Sequence, residues 1–202
     1  MEPLKRFDPT EDKKYKRIYA GVAWPGERPG FAVILGEERE GVNNLIFLDE
    51  IEAGDIRSLI RQCGAMDYYY RPDAWYGETK NSAAMEFIRE MNKDNSSLET
   101  GRAGAKKFIL RRSRQLDSEN PFEFFFPRLK SMLEPKNRRL FLKESKLKAY
   151  MYQPQEADLA GMKWGMYPAI EALALVALEL DEASRRSDQK QYDKVDNEYV
   201  RI

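Results

Sequence analysis

The residue best placed to take part in a reaction is Glu78. It follows a short predicted strand, Ala74 to Gly77, and precedes a polar turn and a helix. A carboxylate at this junction lies at the carboxyl edge of a sheet, where α/β folds bind ligands. The chain contains no histidine. Catalysis would therefore depend on carboxylates, lysines, tyrosines or a metal held by oxygen atoms. The competing interpretation of Glu78 is a solvated loop acid.

Basic residues form two groups with few acids among them. If they shared one face, they would neutralise phosphates and make nucleic-acid binding depend on salt. The alternative is an ordinary solvated rim. Lys+Arg and Asp+Glu both number 34, so a nucleic-acid partner is argued from the location of charge and not from its sum. The residues predicted to contact DNA are Lys106, Lys107, Arg111, Arg112, Arg138 and Arg139.

The composition is that of a globular protein, with 202 residues, 42% of them hydrophobic. The one cysteine excludes an internal disulfide, and no Cys or His cluster exists for zinc, which favours an intracellular protein. No apolar run reaches the roughly 18 residues that a membrane span needs.

The elements that position Glu78 follow from hydrophobic periodicity. Three strands with short turns predict an antiparallel meander, and βα units follow. We predict a mixed sheet, three antiparallel strands and then parallel units flanked by helices, which is the order of the ribonuclease H-like fold. Residues 1–16 are predicted to be a linker, 17–181 the domain and 182–202 a polar tail. The predicted strands are 17–24, 30–36, 44–51, 73–78, 106–112 and 138–143. The predicted helices are 54–66, 121–134, 145–152 and 168–180, together with a helix after Ser82 that ends before a predicted loop at 93–97. A kink or break is predicted at Pro127 within 121–134.

From about Tyr19 to Leu180, the chain resembles the C-terminal nuclease domain of phage terminase large subunits. The resemblance rests on the paired opening strands, on the Glu78 strand-turn-helix with Asn81, and on Ile170-Glu-Ala-Leu173, which is similar to the Asp-Ala-Leu helix start of that family.

The resemblance implies a metal-dependent DNA endonuclease for genome packaging, with carboxylates that hold two Mg²⁺ or Mn²⁺ ions. Glu78 matches the second acid, and either Glu171 or Asp158 matches the acid of the last helix. Acids brought together without a metal repel, so at least one should have a raised pKa. The first-strand aspartate is replaced by Ala23, and Glu27 in the following turn would be a poorly fixed substitute.

The resemblance further implies double-stranded DNA as the partner, an ATPase motor, portal or small terminase subunit as possible assembly partners, and the host-cell cytoplasm as the location. No Walker-type phosphate loop occurs, so the ATPase half is not expected in this chain. Two hypotheses follow. One is an endonuclease domain impaired by Ala23, and the other is a catalytically silent ribonuclease H-like module that binds DNA or a packaging protein.

Overall fold

The structure is a computed structural model that describes residues 14–40, 44–97, 108–113, 116, 121–142, 146–151 and 165–199. For residues 94–97, 121–122, 184 and 187–199 it describes only the backbone. The predicted linker at 1–16 lies almost wholly outside these ranges.

A six-stranded mixed sheet forms the centre of the fold. Strands β1 (Tyr15–Ala23), β2 (Gly30–Glu38) and β3 (Leu45–Ala53) make an antiparallel meander. On the other side of β1, β4 (Ala74–Tyr76) is parallel to it, and β5 (Leu110–Arg111) is parallel to β4. Strand β6 (Leu140–Phe141) pairs in parallel with β3. The order β5-β4-β1-β2-β3-β6 confirms the predicted ribonuclease H-like sheet.

Helices cover both faces of this sheet. Helix α1 starts after Asp55, whose carboxylate accepts a hydrogen bond from the Ser58 N–H at 2.9 Å, and it ends at Arg71 in the left-handed region. The helices are α1 (Ile56–Tyr70), α2 (Ser82–Ser97), α3 (Pro121–Leu133), α4 (Leu147–Tyr150) and α5 (Pro168–Tyr199). Among the described helices, none combines the length and the apolar composition that crossing a membrane requires.

Strand β1 divides two apolar cores, because alternate residues of a strand point to opposite faces. Ile18, Ala20 and Val22 pack with residues of α1 and α2, whereas Ala23 packs with residues of α3, α4 and α5. Gly21 lies where the backbone of α5 passes close to β1. A Cβ at this position would overlap the carbonyl oxygen of Ala172, so the absence of a side chain allows the backbone of α5 to lie against β1.

Several predicted helix ends are wrong. Helix α1 ends at Tyr70, four residues beyond the predicted end at Met66. Helix α5 does not stop at Leu180 but continues to Tyr199, through most of the predicted tail. Its continuation carries two ion pairs at i,i+4 spacing, Asp181–Arg185 at 3.0 Å and Glu182–Arg186 at 3.1 Å, which stabilise a helix without an apolar face. Helix α2 likewise includes the segment 93–97 that was predicted to be a loop.

Helix α3 runs through Pro127 between Pro121 and Leu133, so the predicted break is absent and the predicted kink stays a prediction. Strands β5 and β6 are shorter than predicted, with two residues each.

Candidate functional site

The carboxyl ends of β1 and β4 lie side by side. Gly21 pairs with Tyr76 across the parallel ladder, so Ala23 and Glu78 each come two residues later. The indole N–H of Trp24 donates to the carbonyl oxygen of Glu78 at 2.8 Å, which joins the two chain ends directly. Positions 23 and 78 therefore meet at the edge of the sheet where the sequence predicted a site.

Ala23 is a core residue, with 2% of its surface exposed. It pairs with Phe31 at the start of β2 and belongs to the same core as Ala169 and Ile170 in the first turn of α5. A methyl group offers no ligand for a cation. An aspartate at this position would place a carboxylate in an apolar environment, which costs free energy unless a cation or hydrogen-bond donors compensate it.

Glu78 is held by an arginine. The Nη1 atom of Arg112 lies 3.0 Å from each carboxylate oxygen of Glu78, and the Lys80 N–H donates to Oε1 at 2.7 Å. Arg112 also donates through Nη2 to the carbonyl oxygen of Leu116 at 3.3 Å. Both side chains are about one quarter exposed. The guanidinium therefore supplies the positive charge beside this carboxylate.

Glu171 lies in the first turn of α5 with 1% of its surface exposed. Its Oε1 atom accepts hydrogen bonds from the backbone N–H groups of Gly165 at 2.7 Å and Tyr167 at 3.1 Å. Burial raises the pKa of Glu171 to about 7, and these two bonds oppose the rise only in part. A raised pKa was expected from repulsion between clustered acids, but its cause here is burial. The geometry is that of an acid that caps a helix start by reaching backward.

These acids do not form a metal site among the residues that the structure describes, where no group of three His, Cys, Asp or Glu side chains is placed to hold an ion. Asp158, the other candidate for the last-helix acid, lies outside the described residues. The assignment of Glu78, Glu171 and Asp158 as catalytic and metal-binding residues stays a prediction.

The predicted DNA-binding residues occupy two separate places. Arg111, which is exposed, and Arg112 belong to β5 and its end, at one edge of the sheet. Arg138, also exposed, and Arg139 precede β6, at the opposite edge. Five strand spacings of about 4.8 Å put these edges roughly 24 Å apart. Lys106 and Lys107 lie outside the described residues.

The two places also lie at opposite ends of the strands. Leu140, the residue after Arg139, pairs with Leu45 at the start of β3, whereas Arg111 lies level with Tyr76 near the end of β4. The arginine pairs therefore do not form one continuous contact surface.

Sequence reasoning missed two ion-paired residues. Nothing local connects Arg112 with Glu78, which is 34 positions earlier in the chain. Asp181 lies at the predicted end of the domain with no role assigned to it, although it is 2% exposed and forms ion pairs with Arg128, Arg139 and Arg185. The i,i+4 spacing of Asp181 and Arg185 is a helix signal that could have revealed the continuation of α5.

Neither protein-family models nor curated protein sequences match this chain. Solved structures with a similar fold include the Holliday junction resolvase of fowlpox virus, at a TM-score of 0.42 and 14% identity over 82% of this chain and 99% of that chain. The nuclease domain of the bacteriophage SPP1 large terminase, solved with bound Mn, has a TM-score of 0.34 and 15% identity over 60% of each chain. RuvC of T. thermophilus, in complex with a Holliday junction substrate, has a TM-score of 0.38 and 11% identity over 80% of this chain and 91% of that chain. Similarity at this level assigns no activity or substrate to the chain.

Proposed function

We propose that this chain is a ribonuclease H-like domain of the terminase nuclease type that binds double-stranded DNA and cleaves it weakly or not at all. The observation that carries the proposal is Ala23. It ends the strand on which the resemblance calls for an aspartate, and both Ala23 and Glu78 lie two residues beyond the last β1–β4 pair, Gly21–Tyr76. In a packaging assembly, such a domain would act with an ATPase motor, a portal or a small terminase subunit.

The described residues do not fit a two-metal site. Two divalent ions about 3.5–4 Å apart repel each other strongly, and shared carboxylate ligands must offset that repulsion. Ala23 supplies no such ligand. The negative charge of Glu78 is compensated by Arg112, and Glu171 Oε1 accepts two backbone hydrogen bonds. A cation would have to displace Arg112 from Glu78 and would still lack a ligand on the central strand.

The proposal therefore separates binding from cleavage. DNA binding requires only basic surface residues that contact phosphates, and it does not require the acids. Exposed arginines are present at both sheet edges, with Arg111 at one and Arg138 at the other. We expect binding that is largely independent of sequence and that weakens steeply with salt.

A plasmid-nicking assay in Mg²⁺ and in Mn²⁺ tests the cleavage half of the proposal. We expect little or no nicking by the natural chain, and an increase of at least about tenfold, or about 1.4 kcal/mol in barrier, for Ala23→Asp. Glu78→Ala in the Ala23→Asp background should abolish the gain. Ala23→Asn is the matched control, because it has the same size as aspartate but no charge, and it should not nick.

Each alternative outcome has a separate meaning. If the natural chain nicks as fast as Ala23→Asp, position 23 is not a metal-ligand position and the proposed impairment is wrong. If no variant nicks but all bind duplex DNA in a fluorescence anisotropy assay, the silent DNA-binding module is favoured. If none binds duplex DNA, the DNA-binding half of the proposal fails.

A further inference from the structure

A second cluster of charged side chains lies on the α3–α5 side of the sheet, around Asp181. This carboxylate is 2% exposed, and three guanidinium groups contact it. Arg139 Nη1 lies 2.6 Å from Oδ1, Arg185 Nη2 lies 3.0 Å from Oδ2, and Arg128 Nη2 lies 3.3 Å from Oδ2. The arginines come from three different elements, namely α3, the turn before β6, and α5. We call these four residues the Asp181 cluster.

The Asp181 cluster carries more positive than negative charge. Within the part of the chain that the structure describes, Arg128, Arg139 and Arg185 reach no carboxylate other than that of Asp181 within ion-pair distance. One negative charge thus faces three positive charges. Arg185 is 65% exposed, while Arg128 and Arg139 are 32% and 26% exposed, so all three present N–H donors to solvent.

The buried acid explains how like charges stay together. Three guanidiniums repel one another, and a carboxylate between them offsets part of that repulsion at short range. Each guanidinium has five N–H donors in a planar fork, so contact with Asp181 leaves most donors available. An array that is already ordered loses less side-chain entropy when an anion binds.

Exposed basic residues next to the Asp181 cluster extend its positively charged surface. Lys136 and Arg138 are exposed in the turn that leads to Arg139, and one acid, Glu134, lies in the same turn. Asp181 is ten residues beyond Glu171, which corresponds to about 15 Å along α5. The cluster is therefore remote from the ends of β1 and β4, where Ala23 and Glu78 lie. A ligand bound to the cluster would not compete with a ligand bound at those strand ends.

We propose that the Asp181 cluster, with Lys136 and Arg138, is a binding site for the phosphodiester backbone of duplex DNA. Guanidinium forks match the geometry of phosphate oxygens, and contact with the backbone carries no sequence information. The surplus charge continues along a neighbouring turn, which favours an extended polyanion over a single carboxylate. This inference rests on the proposed DNA-binding function and assigns that function to a surface separate from the Glu78 edge.

The natural chain offers a matched pair of residues for the test. Arg185 and Arg186 are adjacent on α5, are 65% and 61% exposed, and each forms an i,i+4 ion pair. Arg185 belongs to the cluster with surplus charge, whereas Arg186 pairs with Glu182, outside that cluster. Affinity for a fluorescein-labelled duplex of mixed sequence should be measured for the natural chain, Arg185→Ala and Arg186→Ala between about 50 and 200 mM salt.

We expect Arg185→Ala to weaken duplex binding roughly five- to tenfold at about 0.1 M salt and to reduce the slope of log affinity against log salt by about 0.9. Arg138→Ala should add a similar reduction, and Arg186→Ala should leave both quantities nearly unchanged. Circular dichroism melting curves confirm that each variant remains folded.

The inference is overturned if Arg185→Ala and Arg186→Ala bind duplex like the natural chain while binding remains salt-dependent, because DNA then contacts another surface. It is also overturned if Arg185→Ala loses affinity for polyglutamate but not for DNA, which would assign the cluster to an acidic protein. Absence of any duplex binding by the natural chain is a different result, since it refutes the proposed DNA-binding function itself and this site with it.

Discussion

The buried carboxyl group of Glu171 should make the stability of this protein depend on pH in an unusual direction. Its surroundings are apolar, and two backbone N–H groups are its hydrogen-bond donors. Burial raises its pKa from the usual 4.5 to about 7. Glu171→Gln removes the titration but keeps an oxygen that can accept from Gly165 and Tyr167, so it is a suitable reference.

The direction in which stability changes with pH follows from proton binding. Because the folded state holds the proton more tightly than the unfolded state, the charge on Glu171 destabilises the fold. The penalty is absent below pH 4.5, grows between pH 4.5 and 7, and is complete above pH 7. Each pKa unit corresponds to about 1.4 kcal/mol, so the natural chain should lose about 3 kcal/mol relative to Glu171→Gln across this window. In a domain of this size, that loss is a fall in Tm of about 6–12 °C.

Thermal unfolding followed by circular dichroism at intervals from pH 4.5 to 8 measures the effect. Other titrating groups are common to both proteins and cancel in the difference between the two Tm values. We expect that difference to shift steadily in favour of Glu171→Gln as the pH rises. Curves that run parallel over the whole range would refute the assignment of a buried, protonated Glu171 at low pH.

Three further predictions concern packing and charge. Gly21→Ala should lower the free energy of unfolding by about 2–4 kcal/mol in chemical denaturation, because the new Cβ would force α5 away from β1; an unchanged midpoint would contradict the close approach. Asp181→Asn should lower the free energy of unfolding by about 3–5 kcal/mol, because it leaves three guanidiniums without a counter-charge, whereas Arg185→Ala should lower it by less than about 1 kcal/mol. Equal losses in the two variants would show that Asp181 does not organise the cluster. Ala23→Asp should lower the Tm without a divalent ion and recover it in excess Mn²⁺, since its carboxylate would be buried; a Tm that does not respond to Mn²⁺ would argue against a metal-ligand position.

Most of the sheet could be predicted because its first strands and the turns between them are neighbours in the sequence. The strands β1, β2 and β3 are apolar segments separated by short turns, and short turns between such segments favour an antiparallel meander. The parallel pairing of β4 with β1 agrees with the predicted change from the meander to βα units. These features place Glu78 at the carboxyl edge of the sheet, where the structure also has Ala23.

The helix ends were harder to predict because they do not depend on apolar periodicity. The last part of α5 has no apolar face, and its stabilising ion pairs, including Asp181–Arg185, are visible in the sequence only when charge spacing is considered. The residues at the end of α2 are polar and include Asn and Ser, a composition typical of a loop, although the helix includes them.

The roles of the acids depended on contacts between distant segments. No pattern in the sequence indicates that Arg112 would bind Glu78, since the pairing depends on the position of β5 beside β4. Glu171 could be read as a metal ligand or as a first-turn acid, because both roles use the same residue type at the same place. Its burial and its two backbone hydrogen bonds, which show the contacts of a first-turn acid, come from the fold and not from the sequence pattern.

The central claim is that Ala23 deprives this chain of the ligand that a metal pair requires. Titration of Mn²⁺ into the natural chain and into Ala23→Asp, with free Mn²⁺ followed by electron paramagnetic resonance, tests this claim without relying on cleavage. We predict no specific binding to the natural chain, binding to Ala23→Asp, and loss of that binding when Glu78→Ala is added. Tight binding of two Mn²⁺ ions by the natural chain that disappears in Glu78→Ala would contradict the claim.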